Sequence, residues 1–328
     1  MDDKVAILGS GAMGTALAQL LASNGHRVTI WGIEGEVLEG IARWHRNPRY
    51  LPGVVLHRLI GASLSLEEAV QGVGLVAVAV PSSAVREVGK RLALYMKAGT
   101  AVLSVAKGLE PGTSLRMSQV LAQELPGASI AALAGPALSH ELGRRRPTVL
   151  VVASSSIDTA QYVRSLLAGR GVSVVVSDDV CGVELAAVLK NVYSILLGMC
   201  EGVGLGANAK GCLAVMALQE MVQIVVALGG RAETVTGPAG LGDLLASGYS
   251  RKGRNLALGR LLGRKGPWQD YLAAATVEGF QALKPLQRLV KAAGIDPPVL
   301  QTIVQAVEGR GDPKALMTDL MVRCAAAP

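Results

Sequence analysis

The sequence predicts an α/β fold, a doubly wound and mostly parallel sheet followed by an all-α C-terminal domain. Short apolar runs alternate with helical periodicity from Val5 to Val176, the signature of βαβ units. A glycine turn, Gly9-Ser10-Gly11-Ala12-Met13-Gly14, separates the first apolar run from the first helix. Strand-like runs then stop near Cys181, and helical periodicity alone continues to Arg323. A chain of 328 residues has room for two domains of about 150 residues each. The break at Ser177-Asp178-Asp179 sets the expected domains at 1–180 and 181–328.

Residues 5–8 are apolar and too few for a helix, so they read as a buried strand, and 15–22 follow with helical spacing. Gly9 allows the tight turn, Gly11 lets a pyrophosphate approach the backbone, and Gly14 lets helix and strand pack closely. An anion then sits on the open amides of the helix N-terminus. Gly9, Ser10, Gly11, Ala12, Met13 and Gly14 are therefore candidate cofactor residues. A glycine turn by itself is weak evidence, but here a strand precedes it and a helix follows. A second strand is expected at 27–31. Glu34 lies about 20 residues past the last glycine, where a ribose-binding carboxylate belongs. The whole reads as a Rossmann-type dinucleotide site. Glu34 favours NAD by repelling a 2′-phosphate, with NADP still possible.

A helix is expected at 35–44, then a polar connection through Pro48 and Pro52. A short helix follows at 66–70, with Ser65 as N-cap and Glu68 completing a capping box. A strand buried on both faces is expected at 74–80, a continuously apolar run, and another buried strand at 101–105. Further strands fall at 129–133, 148–153 and 172–176, with helices at 82–94, 115–125 and 157–167. Ligands bind beyond the carboxyl ends of strands in such sheets. Pro81-Ser82, Lys107-Gly108 and Gly135-Pro136 all sit at those ends.

Half the residues are apolar and 17% are charged, which supports a large core and argues against disorder. Phe280 is the only phenylalanine, so stacking platforms for single-stranded nucleic acid are not expected. The net charge of +7 is spread out, with clusters only at Arg144-Arg145-Arg146 and Arg251-Lys252-Gly253-Arg254. A phosphorylated small molecule and a dinucleotide account for it as well as DNA would. Cys181, Cys200, Cys212 and Cys324 show no paired or metal-ligand spacing with one another or with the four histidines, and read mostly as small buried hydrophobes. No metal is expected. The acidic start, Met1-Asp2-Asp3-Lys4, lacks a signal-peptide pattern. A cytoplasmic protein is expected.

The segment from Val183 to about Cys200 is apolar nearly all round, as a central helix must be. Glu184 and Lys190 inside it, and the lack of a second such run, argue against membrane insertion. A desolvated Lys190 would have its pKa lowered into the range useful for acid–base work, unless it snorkels to the surface or pairs with Glu184. Asp243 follows three glycines and opens a helix. It reads equally as a helix N-cap or as a carboxylate held near a lysine. Arg254 and Asn255 can grip a phosphate together, although most surface arginines grip nothing. His140 has no nucleophile or carboxylate partner in sequence and reads as structural.

Ten segments in order resemble the NAD(P)-dependent glycerol-3-phosphate dehydrogenase family. They are residues 9–18, 78–82, 106–109, 135–136, 189–192, 208–211, 240–244, 254–255, 277–279 and 320–323. The resemblance implies reversible reduction of dihydroxyacetone phosphate to sn-glycerol 3-phosphate, feeding phospholipid synthesis, in a homodimer. It implies that Lys190 donates the proton and that Asp243 supports it. Lys107, Gly135, Asn191, Ser247, Arg254 and Asn255 would contact substrate. Pro81, Lys107, Arg254 and Glu278 would join the glycine turn and Glu34 around the cofactor, with substrate in a cleft beside it. Ala137, Ala207 and Met216 depart from the residues usual in the family and bear on substrate detail and on a salt bridge in the helical domain. A related β-hydroxyacid or ketopantoate-type reductase is the alternative enzyme. A nucleotide sensor without turnover is the alternative of another class.

Overall fold

The computed structural model describes residues 4–250 and 253–325. The basic pair Arg251-Lys252, the acidic start 1–3 and the tail 326–328 lie outside the described residues, as does the side chain of Cys324. The chain divides into two compact units, Met1–Ala106 with Leu115–Val180, and Lys107–Ser114 with Cys181–Pro328. The sequence reading counts 107–114 with the first domain. In the structure Leu109 is buried in the helical core, and the Asn191 side-chain amide donates to the Lys107 carbonyl at 3.4 Å.

The first unit holds an eight-stranded sheet: β1 Lys4–Leu8, β2 Arg27–Trp31, β3 Ile60–Ser63, β4 Leu75–Val78, β5 Ala101–Ser104, β6 Ser129–Ala134, β7 Thr148–Ser154 and β8 Val172–Ser177. Their order is β3-β2-β1-β4-β5-β6-β7-β8. All neighbours are parallel except β6 and β7. The helices are α1 Ala12–Ser23, α2 Gly35–Trp44, α3 Leu66–Val70, α4 Val85–Ala93, α5 Met117–Glu124, α6 Ser139–Leu142 and α7 Ile157–Leu167. Residues 82–84, expected to begin a helix, form a 3-10 turn ahead of α4.

Side chains alternate across the sheet, as a period of two demands. Val5 and Ile7 of β1, with Leu75 and Ala77 of β4, enter one core under α1 and α7. Ala6 and Leu8, with Val76 and Val78, enter the other under α3, α4 and α5. Two apolar faces are why these strands read as unbroken apolar runs.

Two elements escaped the sequence reading. β3 is an edge strand in which only Ile60 is buried, so its small residues give no apolar run. α6 has four residues, too few to show a period. The expected N-cap at α3 is present, with Ser65 accepting from the Glu68 amide at 3.3 Å. Its capping box is rerouted: the Ser65 amide donates to the Ser63 hydroxyl, which in turn donates to the Glu68 carboxylate.

The second unit contains helices and no strands among the described residues. They are α8 Val180–Gly202, α9 Gly206–Ala227, α10 Ala232–Thr236, α11 Asp243–Gly248, α12 Arg254–Gly263, α13 Trp268–Ala274, α14 Glu278–Ala292, α15 Pro298–Val307 and α16 Pro313–Ala325. α8 is the central rod, buried continuously from Gly182 to Cys200. By length and composition α8 and α9 could each cross a membrane, with mean hydropathies of 1.6 and 1.4. The sequence reading counts no second such run, and α9 corrects it. Residues of both helices enter one helical core, and 89% of the apolar window of α8 is buried.

α8 and α12 cross with their backbones nearly touching. A Cβ on Gly259 would lie 2.0 Å from the Ile195 carbonyl oxygen, and one on Gly198 would lie 2.2 Å from that of Leu256. Gly202 and Gly263 repeat the arrangement one turn on. Small residues four apart on both helices permit this approach, which brings the first turn of α12 against α8.

Candidate active site

The second unit places two ammonium groups on one carboxylate. Lys107 Nζ lies 2.6 Å from Asp243 Oδ2, and Lys190 Nζ lies 3.0 Å from Asp243 Oδ1. Lys190 also donates to Ser247 Oγ at 2.8 Å. Ser247 and Asp243 share one face of α11, and the hydroxyl lies 3.3 Å from the carboxylate. Lys190 is 6% exposed and Asp243 1%. Lys190 therefore neither snorkels nor turns to Glu184. Among the described residues two of its three N–H bonds are used, and one remains.

Local structure explains how Asp243 arrives there. Residues Pro238–Gly242 form a π turn, in which a Cβ on Gly240 would lie 2.1 Å from the Val235 carbonyl oxygen. The turn is pressed onto the end of α10 and delivers Asp243 as the first residue of α11. Its carboxylate goes to the lysines, and no side-chain cap bond forms at this helix start. The N-cap reading is set aside by that geometry.

Burial pulls the Lys190 ammonium down to about 8; Asp243 draws it back up, and the charge of Lys107 pushes it down further. Burial alone would raise the Asp243 carboxyl, but Lys107 and then Lys190 outweigh it and hold it below the usual carboxylate range. The lysine is thus poised near neutrality, where a general acid–base group works best.

A chain of amides runs alongside. Asn255 Nδ2 donates to Asn191 Oδ1 at 2.9 Å, and the Gly279 amide donates to Asn255 Oδ1 at 3.0 Å. Gly279 has no room for a side chain, since its Cβ would lie 2.5 Å from the Asn191 carbonyl oxygen. Glu278, one residue earlier, is partly exposed at the start of α14. Arg254 is exposed at the first position of α12. Its guanidinium makes no hydrogen bond or ion pair with the described residues. A cation at the positive end of a helix is unfavourable by itself, and an anion beside it reverses that.

In the first unit the glycine turn connects β1 to α1. The Gly9 amide donates to the Trp31 carbonyl at 2.8 Å. Gly9 has φ +125°, and its Cβ would strike the Ala79 carbonyl oxygen at 2.6 Å. A Cβ on Gly14 would lie 2.0 Å from the Gly9 carbonyl oxygen, whereas one on Gly11 would meet nothing within 4 Å. The first and last glycines are thus required by the fold, and the middle one opens onto space. Gly11 also gives α1 no side-chain cap, so its first amides stay available to an anion. The residues fit a dinucleotide pyrophosphate. Ser10, Ala12 and Met13 lie along that turn, and Glu34 is the N-cap residue of α2. Pro81 follows the carboxyl end of β4 and is exposed.

Lys107, Lys190, Asn191, Asp243, Ser247 and Asn255 are brought together in the second unit. Gly135 belongs to the first, at the end of β6, with φ +105° and a Cβ position 2.7 Å from the Val149 carbonyl oxygen, so β7 accounts for its being glycine. His140 lies on α6, 3.9 Å from Glu141. Arg144, Arg145 and Arg146 are exposed. Among the described cysteines Cys200 is buried, Cys181 half-buried and Cys212 exposed, so only the first fully fits the small-hydrophobe reading. Met216 is buried in the helical core, which explains an apolar residue there; Ala207 is exposed and Ala137 half-buried.

Further contributors are not singled out as site residues in the sequence, although Lys210 falls within the 208–211 segment. Lys210, buried on α9, donates to the Gly248 carbonyl at 2.8 Å and to Glu201 at 2.5 Å, while Arg260 takes the other Glu201 oxygen at 2.5 Å. The pair steadies the end of α11 that carries Ser247. Asn47, in the connection after α2, is buried and donates to the Ser10 carbonyl and to Thr15 Oγ1, both at 2.8 Å.

Comparison with known proteins shows the family. Residues 4–160 match the family described as NAD-dependent glycerol-3-phosphate dehydrogenase N-terminus, and residues 179–318 match its C-terminus. The glycerol-3-phosphate dehydrogenase [NAD(P)+] of Moorella thermoacetica is 38% identical over 310 residues, 94% of this chain and 92% of that protein. The crystal structure of glycerol-3-phosphate dehydrogenase from Coxiella burnetii superposes with a TM-score of 0.92 at 31% identity, over 97% of this chain and 98% of that one. A ketopantoate reductase from Ralstonia eutropha shares the fold alone, with a TM-score of 0.59 at 19% identity over 96% of this chain and 99% of that one.

Proposed function

The chain belongs to the NAD-dependent glycerol-3-phosphate dehydrogenase family, and from that premise we propose that it interconverts dihydroxyacetone phosphate and sn-glycerol 3-phosphate with NAD(P). The observation that carries the reading is the buried Lys190 ammonium, fixed by Asp243 and Ser247 with one N–H to spare. The nicotinamide, when bound, supplies or accepts the hydride. Everything else falls to the side chains.

Reduction of a ketone builds negative charge on its oxygen, and a fixed donor aimed at that oxygen stabilises the transition state. Lys190 gives its remaining proton to the forming alkoxide. Asp243 and Ser247 hold the nitrogen in place as the proton leaves, and Lys107 keeps the surroundings positive. In the opposite direction neutral Lys190 takes the hydroxyl proton. Arg254 and Asn255 anchor the phosphate, whose binding energy orients the distant carbonyl; Asn191 positions Asn255 through its amide. The first unit is the dinucleotide-binding domain, with the glycine turn on the pyrophosphate and Glu34 on the ribose. The second binds substrate and holds the proton donor, and Pro81, Gly135 and Glu278 complete the two binding surfaces. The enzyme works in the cytoplasm as a homodimer, without membrane insertion, and supplies glycerol 3-phosphate for phospholipid synthesis.

The test follows nicotinamide absorbance with dihydroxyacetone phosphate and, separately, ketopantoate. Turnover of the phosphorylated ketone alone, abolished in Lys190→Ala with cofactor affinity kept, is expected. Preference for ketopantoate, or normal turnover of the variant, overturns the proposal.

A further inference from the structure

The connection after α2 is built into the nucleotide side of the first unit. Asn47 is 1% exposed and ties this segment to the glycine turn through Ser10 and Thr15. The Tyr50 amide donates to Asn47 Oδ1 at 3.2 Å, and the Leu51 amide to the Asn47 carbonyl at 2.8 Å. Tyr50 is thereby placed so that its hydroxyl donates to Glu34 Oε1 at 3.0 Å. Glu34 lies two residues beyond Gly32, where a Cβ would meet Ser10 Oγ at 2.7 Å. The carboxylate is therefore carried beside the turn whose open amides suit the pyrophosphate.

We infer that Tyr50 is a specificity-positioning residue: it fixes the Glu34 carboxylate where the adenosine ribose lies, so that the enzyme selects NADH over NADPH. A free hydroxyl at the ribose 2′ position donates to such a carboxylate; a phosphate there meets it as a like charge. An untethered glutamate at a strand end could swing away from that charge. Here the phenol, itself locked through Asn47 to the glycine turn, keeps it in place. Burial and the nearby carboxylate hold the Tyr50 phenol above its usual range, so it remains a donor.

Arg49 also reaches Glu34 Oε1, at 2.9 Å, and lies over the Tyr50 ring at 5.3 Å. Its side chain is 64% exposed, so this contact is weak and exchangeable. If Arg49 turned to a 2′-phosphate, Glu34 would stay beside that phosphate, still held by the neutral Tyr50 hydroxyl but without its ion pair. Arg49 softens the discrimination and cannot reverse it.

The inference rests on the nicotinamide reading above, and its test needs no turnover. Dissociation constants for NADH and NADPH are measured by nucleotide fluorescence on wild type, Glu34→Gln and Tyr50→Phe. Wild type should bind NADH at least about tenfold tighter, and Glu34→Gln should erase most of that ratio. Tyr50→Phe should narrow the ratio roughly threefold or more by loosening the carboxylate, with NADH affinity changed less. A purely structural role for Tyr50 would weaken both nucleotides equally, and that result overturns its assignment. Equal affinities in wild type, or an unmoved ratio in Glu34→Gln, overturn the inference as a whole. Binding of neither nucleotide brings down the cofactor reading itself, an outcome distinct from equal binding of both.

Discussion

Replacing Asp243 by Asn should move the pH dependence of ketone reduction toward acid. The carboxylate has Lys107 at 2.6 Å and Lys190 at 3.0 Å, both in a region of low exposure. Removing one partner of a buried ion pair costs about 3–5 kcal/mol. If roughly half of that falls on Lys190, its pKa drops by about 1–2 units at 1.36 kcal/mol per unit, from its present position of about 8. At pH 7 the wild-type lysine is then about nine-tenths protonated and the variant's half or less, by the same relation. Reduction at pH 7 should fall severalfold from this alone, and lowering the pH should recover much of it. The assay is a profile of kcat/KM from pH 5.5 to 9, which reports the free enzyme, followed by nicotinamide absorbance, with circular dichroism at each pH to establish the fold. A variant profile that superposes on the wild type refutes the argument. So does a loss of the same size at every pH, which would assign Asp243 to orientation and not to charge.

The remaining expectations are brief. Lys190→Met keeps the length of the side chain and leaves Asp243 with Lys107; reduction should fall by at least about a hundredfold, as measured under saturating substrate. Because burial lowers the Lys190 pKa in the folded state, the unfolded chain binds more protons from about pH 8 to the ordinary lysine value. Wild-type stability on this account rises with pH across that window, and thermal melts of Lys190→Met should show a flatter trend. Arg254→Ala should raise the KM for dihydroxyacetone phosphate by roughly ten- to a hundredfold through loss of a charge-assisted contact, and an unchanged KM counts against the anchor. Gly259→Ala places a methyl 2.0 Å from the Ile195 carbonyl oxygen; forcing α8 and α12 apart should cost about 1–3 kcal/mol, read by denaturant unfolding.

Much of the fold was legible because burial on two faces leaves a plain trace. The runs that became β1 and β4 are continuously apolar, and the glycine turn stands where the first must meet a helix. β3 was not legible, since an edge strand of Ile, Gly, Ala and Ser has one residue to bury. The second span-length helix was hidden by its own chemistry: Lys210 and Glu220 punctuate α9. Both are buried, and Glu220 is held by the Tyr193 hydroxyl and the first amides of α15. Sequence shows the charges and not those partners. The same blindness applies to Asp243, whose place after three glycines suits a cap as well as a catalytic carboxylate. Only the packing of the π turn against α10 decides it. Residues 107–114 follow a sheet strand in sequence and so read as part of the sheet, yet Leu109 and the Lys107 backbone are taken up by the helices.

The proportions of the lysine cluster have a consequence for how the proton is handled. Lys107, Asp243 and Lys190 together sum to one positive charge where water has little access. Such a trio is relieved in one of two ways: Lys190 gives up its proton, or an anion comes alongside. Without substrate the first is within reach, which is the meaning of a lysine drawn down to about 8. A phosphorylated ketone brings the second, and its negative charge strengthens the hold of Lys190 on the proton. The acid is therefore loaded by the arrival of the molecule that will consume its proton. A second carboxylate in place of the Ser247 hydroxyl would keep Lys190 charged at all times and raise the energy needed to release that proton. A neutral donor–acceptor at Ser247 orients the nitrogen without that penalty, and this gives the single-carboxylate arrangement its chemical sense.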